Sequence, residues 1–403
     1  MKSLGLASLV LGTFASSLFA QIPASYEIKL PGQPFGVVAS SDQKWVFVSL
    51  PTGRRKGAIA VLQNTGGRIQ LVRIVPTDRP PLGMVLTHSG DTLIVAAQDR
   101  VVFFNTRKLE IGDGDPAFQW VSDGRRAGSV YVNVTADDKT LFVSDESTAT
   151  ITVIDLDRIR SPGRNSVAAN SKHSNSGGGA RYAIIGKIPV GLAPIALTFS
   201  KDERWLFTTS EVARRPWRWP LVLKRKNDDG MDPKGEVIVI DVAKARTNPR
   251  ESVTARVPAG NSPVRSALAP DGSRLFVTAR GSNAVLVFNT ADLVGKPDKA
   301  KPVKITVGAN PVPVILVNNG KLALVGNSNR FSTDTEKSST LTVIDTSRIG
   351  TPENPEIGEI PCGAFPREFH LSADGQTLFL TNFRSSTLQV LDVNRLTEIM
   401  KKK

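Results

Sequence analysis

Residues able to do binding chemistry concentrate in one stretch, Val212 to Lys226. There Trp217 and Trp219 are interleaved with Arg214, Arg215, Arg218, Lys224, Arg225 and Lys226. Indole faces stack on bases or sugars, and the neighbouring cations pair with phosphates. The same residues could dip Trp217, Trp219 and Leu221 into a membrane interface. A lid whose tryptophans pack over the mouth of a channel is the third reading.

Catalytic signals are sparse. The chain has three histidines, His88, His173 and His370, which excludes a histidine-cluster metal site. It contains neither a Gly-x-Ser-x-Gly elbow nor a His-Glu-x-x-His pair. Ile111 to Asp115 reads as a plain turn rather than a calcium loop, because Pro116 follows and the downstream Glu is missing. Arg265, Glu368 and His370 are the catalytic candidates. Arg265 could polarise a lactone carbonyl while Glu368 or His370 activates water. Their alternative role is to line an inner channel as partnered polar groups. Cys362 is the single cysteine and reads as a buried filler, so an intramolecular disulfide is impossible. No metal and no cofactor is expected.

The elements that must position these residues follow from a phrase that recurs seven times. It runs Pro-x-Gly-x-x-Pro, a short apolar stretch, Asp-Gly or a relative, Leu-Phe-Val-Thr, then Val-x-Val-x-Asp. Pro258, Gly260, Pro263, Asp271-Gly272, Leu275 to Thr278 and Val285 to Phe288 form its clearest copy. The other turn signals fall at Asp42, Gly90, Asp138, Asp202, Gly320 and Asp374, with a spacing of 48 positions between several of them. That period suits a propeller blade of short strands, A to D from the axis outward. The expected fold is therefore an all-β seven-bladed propeller.

The chain ends suggest how the ring closes. Val393 to Lys403 shows no second β-run after the last strand C, whereas Tyr26 to Leu30 is a strand without a partner. Residues 26–30 are expected to supply strand D of the seventh blade, which removes exposed edges.

Phe276-Val277-Thr278-Ala279, Phe142-Val143-Ser144-Asp145 and Phe379-Leu380-Thr381-Asn382 resemble the repeats of the YVTN (Tyr-Val-Thr-Asn) family of bacterial extracytoplasmic β-propellers, over residues 26–392. The resemblance implies the seven-bladed fold and, because some members bind DNA, nucleic acid as a partner. Lactonase-type seven-bladed propellers have similar repeats, so a lactonase-like hydrolase in the central channel is the alternative.

Residues 1–20 read as a signal peptide. Lys2 precedes an apolar run from Leu4 to Phe14, and cleavage near Ala20 would leave residues 21–403 as one extracytoplasmic domain, periplasmic or secreted. An uncleaved anchor is the alternative for the leader; the mature chain has no transmembrane span. Hydrophobic content of 40% with 33 Gly and 26 Pro fits a turn-rich globular chain. Two insertions interrupt the repeats: a low-complexity, flexible one over 157–182 and the basic, aromatic one over 212–234.

The formal charge of +14 points to the function. In a propeller the D–A and B–C loops share one face. Those loops carry Arg54, Arg55, Arg214, Arg215, Arg218, Arg280, Arg367 and Arg384, whereas the A–B turns opposite carry aspartates. A monomeric binding scaffold follows, whose basic face takes a polyanion or an acidic protein partner.

Overall fold

The computed structural model describes residues 22–53, 55–124, 126–160, 179–213, 234–331 and 339–402. Seven antiparallel sheets stand around one axis. Blade 1 comprises Val37–Ala39, Trp45–Thr52, Lys56–Thr65 and Arg68–Thr77, paired in that order. Blade 7 comprises Pro366–Leu371, Thr377–Asn382 and Thr387–Asp392, and its outer strand is Ser25–Lys29 from the start of the chain. Tyr26 lies opposite Val390 and Ile28 opposite Leu388, so the ring closes as expected.

Each part of the repeated phrase has a structural task. The Ser or Thr near the end of strand B bridges a bulge in strand A. It accepts the amide of Gly36 (Ser49, 2.8 Å), Ala196 (Thr209, 3.1 Å), Arg265 (Thr278, 3.0 Å) and Glu368 (Thr381, 3.1 Å). The same hydroxyls donate to the next blade: Ser49 to the Leu82 carbonyl, Thr209 to Val264, Thr278 to Val312 and Thr381 to Phe35. One side-chain type thus stitches neighbouring blades together. The glycine of Pro-x-Gly leaves room for the last side chain of strand B: a Cβ at Gly363 would stand 2.6 Å from Asn382 Nδ2. The Asp or Asn closing strand C caps the turn that follows, as Asp241 accepts from the Lys244 amide at 2.9 Å and Asn289 from the Asp292 amide at 3.2 Å.

Three departures from the sequence reading are local. Strand A of blade 4 is split into Leu192–Pro194 and Thr198–Phe199, both paired with Trp205–Val212. Short helices such as Thr106–Ile111 and Thr290–Gly295 begin in several C–D connections, directly after those caps. The C-terminus is not without β-structure, since Lys401–Lys402 pairs with Glu356–Pro361 on the outer edge of blade 6.

The apolar core lies between blades rather than inside one. Phe379, Leu388 and Val390 of blade 7 pack with Val37, Val46 and Val48 of blade 1. Phe276 and Val285 of blade 5 pack in the same way against Val314, Leu316 and Val325 of blade 6. Strand B presents a fully buried Phe in blades 1, 3, 4 and 5: Phe47, Phe142, Phe207 and Phe276. Truncating any of them to Ala costs about 3–5 kcal/mol.

Candidate functional site

At the start of strand A the seven blades form a collar around the axis. Six of them contribute Phe35, Leu82, Val130, Ile195, Val264 and Val312, which pack into one apolar cluster. The seventh contributes Arg367, the residue before the amide that Thr381 accepts. Its guanidinium lies 3.9 Å over the Phe35 ring, and its Nε is buried with no hydrogen-bond partner.

Blade 7 breaks its own repeat once more, two residues earlier. The residue before the strand-A proline is left-handed in blades 4 to 7, at φ 49° for Ala193, 48° for Ser262, 51° for Asn310 and 58° for Phe365. The first three are small or adaptable; Phe365 is neither, and a bulky residue held there stores of order 1–3 kcal/mol. Hydrogen bonds hold it in place: its amide donates to Ser339 Oγ at 3.2 Å and its carbonyl accepts from the Phe383 amide at 2.9 Å.

Arginines gather around that ring. Arg330, Arg367 and Arg384 lie 5.8, 5.6 and 5.7 Å from the Phe365 centroid. Arg384 is pinned by donating to the Arg330 carbonyl at 2.8 Å. Arg280, buried at the end of strand B, pairs with Glu211 at 2.7 Å. Among the described residues, neither Arg330 nor Arg367 has a carboxylate at ion-pair distance. Burial lowers the pKa of the Arg330 guanidinium below its ordinary value, and the charges of Arg280 and Arg367 lower it further. Glu146 joins the cluster from blade 3. Solvent reaches its side chain, yet crowding by protein raises its carboxyl pKa; Glu211 adds to the rise, and Arg367, Arg330 and Arg280 oppose it.

Below the collar a central cavity of about 480 Å³ runs toward the A–B turns, with Ser41, His88 and Ala373 on its wall. The three catalytic candidates all line it. Arg265 and Glu368 form an ion pair, with the Arg265 guanidinium 3.4 Å over Tyr131. His370 stacks on Phe379 at 6.4 Å, and burial lowers its pKa to about 4, so it is neutral at physiological pH. The pair neutralises itself. His88, on the same wall, is committed to Asp138 at 3.1 Å.

Other sequence candidates are scattered. Arg55 is exposed and lines a separate cleft of about 750 Å³ with Arg79, Asp99 and Glu146. In that cleft Asp99 pairs with both Arg79 and Arg100, at 3.2 and 3.1 Å. Arg54, Arg214, Arg215, Trp217, Arg218 and Trp219 lie outside the described residues, as does most of each insertion. Cys362 is half-buried, and burial followed by the charge of Glu27 raises its thiol pKa. Among the described residues no group of three or more His, Cys, Asp or Glu could hold a metal ion. None of their helices is long and apolar enough to cross a membrane.

Sequence reasoning did not anticipate Glu146, Glu211 and Phe365. The signal for Phe365 was available: laying the seven copies over one another shows an aromatic where the others hold Gln33, Pro80, Gly128, Ala193, Ser262 and Asn310.

Comparison with known proteins agrees with the architecture. The Kuenenia stuttgartiensis hydrazine synthase is similar in structure, with a TM-score of 0.64 at 15% identity, over 96% of this chain and 99% of that one. The likeness is one of fold. No family model matches the chain, and no curated protein does.

Proposed function

We propose that this chain is an extracytoplasmic binding scaffold of YVTN type, and that it holds an anionic partner on the D–A/B–C face. The partner is a polyanion or an acidic protein. The observation that carries this reading is the cluster of Arg330, Arg367 and Arg384 around Phe365, in which, among the described residues, no guanidinium has a carboxylate at ion-pair distance. Like charges brought this close repel one another, and an anion between them relieves the repulsion. The leader-like residues 1–20 support an extracytoplasmic location.

Lactonase-like hydrolysis in the central cavity is the weaker reading. Arg265 is already matched by Glu368, and His370 sits in an apolar stack.

Salt-gradient elution from immobilised heparin tests the proposal. The wild-type chain should be retained and released by salt, and the combined Arg330→Gln and Arg367→Gln exchange should elute markedly earlier. Equal retention of the two proteins, or retention indifferent to salt, would falsify the reading.

A further inference from the structure

The charge of the mouth cluster can be counted over the described residues. Glu211 is matched by Arg280. Among the described residues, three cations, Arg330, Arg367 and Arg384, then gather at Phe365, and the one further carboxylate is Glu146, which interacts with Arg330 and Arg367, so two positive charges are left over. A compact dianion cancels that excess; a monoanion does not.

Beside the guanidiniums lies a flat apolar platform. Phe331 is 65% exposed on the same face, with Arg330 at 5.6 Å and Arg280 at 5.8 Å from its ring centroid. A large aromatic left open next to crowded cations offers stacking to whatever is attached to the anion. Underneath, the apolar collar closes the channel, so the ligand enters from the loop face and goes no deeper.

Building on the anionic-partner reading, we infer that the mouth is a site for a phosphate monoester. Its phosphoryl oxygens accept hydrogen bonds from Arg330 and Arg367, and its organic group stacks on Phe331. Glu146 restrains this binding by its charge, and Glu211 keeps Arg280 in place. The titratable and charged groups that face Glu146 are Glu211, Arg280, Arg330 and Arg367 on the mouth side, with Arg55, Arg79 and Asp99 in the cleft behind it.

Calorimetric titration of the full mature chain at low salt tests the assignment with inorganic phosphate, phenyl phosphate and benzoate. Phenyl phosphate should bind tightest, and its advantage over inorganic phosphate, about fivefold, should vanish in Phe331→Ala. Arg330→Gln with Arg367→Gln should abolish both. Glu146→Gln should tighten phenyl phosphate about two- to fivefold near neutral pH.

Benzoate binding as tightly as phenyl phosphate overturns the inference. So does phenyl phosphate binding that survives the double arginine exchange, or an affinity indifferent to Glu146→Gln. Heparin retention that needs both arginines without any phenyl phosphate binding leaves the anionic-scaffold reading standing and removes this one. Loss of both signals removes both. An oligonucleotide with and without a terminal phosphate separates the two sources: a stronger response to the phosphorylated end than to phenyl phosphate assigns the group to a polymer, and the reverse to a free ester.

Discussion

Arg367 and Phe35 come from opposite ends of the chain, yet the guanidinium of one lies 3.9 Å over the ring of the other. The contact spans the seam where the last blade meets the first. It also fills the one collar position that is not apolar. A half-buried cation whose Nε is buried and unpartnered lowers stability, so its retention points to a task other than packing. Arg367→Leu should therefore keep or raise the unfolding temperature, because it completes the apolar collar. It should also weaken heparin retention. Thermal unfolding and salt elution measured on the same protein check this, and a fall of several degrees in the melting temperature would contradict it.

The blade-to-blade hydroxyls make a second prediction. Thr381 accepts the Glu368 amide and donates to the Phe35 carbonyl at 3.1 Å, fastening the seam from within. Thr381→Val keeps the shape and removes both bonds in a fully buried place. The expected loss is about 1–3 kcal/mol by denaturant titration. Thr278→Val, which acts between blades 5 and 6, should cost a similar amount. A neutral result in both variants would show that shape alone, not the hydroxyl, holds the bulge.

The blades were legible in the sequence because their phrase recurs, whereas the hydroxyl stitches between them emerged only from the structure. Seven weak signals at a fixed period outweigh any one of them, and the partnerless strand at Tyr26 had only one edge left to join. The pairing of Lys401–Lys402 with blade 6 was not legible, since two lysines carry no β-pattern and the contact depends on where the tail emerges. Charge placement by loop class brought Arg280, Arg367 and Arg384 to one mouth. Glu146 and Glu211 escaped notice because each is an isolated acid in a basic loop, and only the ring geometry brings them together. The ion pair of Arg265 with Glu368 was likewise hidden, as it joins equivalent positions on two different blades.

The two chain ends should differ in what they contribute. Removing residues 22–30 strips the outer strand from blade 7 and exposes Leu388 and Val390, so the protein should lose cooperative unfolding. Removing residues 401–403 should shift the melting temperature little. A cut before Leu396 should be intermediate, because Leu396 is buried with Leu378 and Leu391. Equal melting temperatures for the first and second truncations would refute the role given to the closing strand.

His370 makes the stability of the fold depend on pH. Its pKa falls from 6.5 to about 4 on burial, so the unfolded chain takes up a proton at a pH where the folded chain does not. Its contribution is fully present above about pH 6.5 and is lost as the pH falls toward 4. The ring is partly accessible in its cavity, so the loss should be roughly 1–3 kcal/mol rather than the full value for an enclosed group. His370→Phe should flatten the difference in stability between neutral and mildly acidic solution. Denaturant titrations of both proteins at the two pH values decide the matter, and an unchanged slope in the variant would assign the acid sensitivity to other groups.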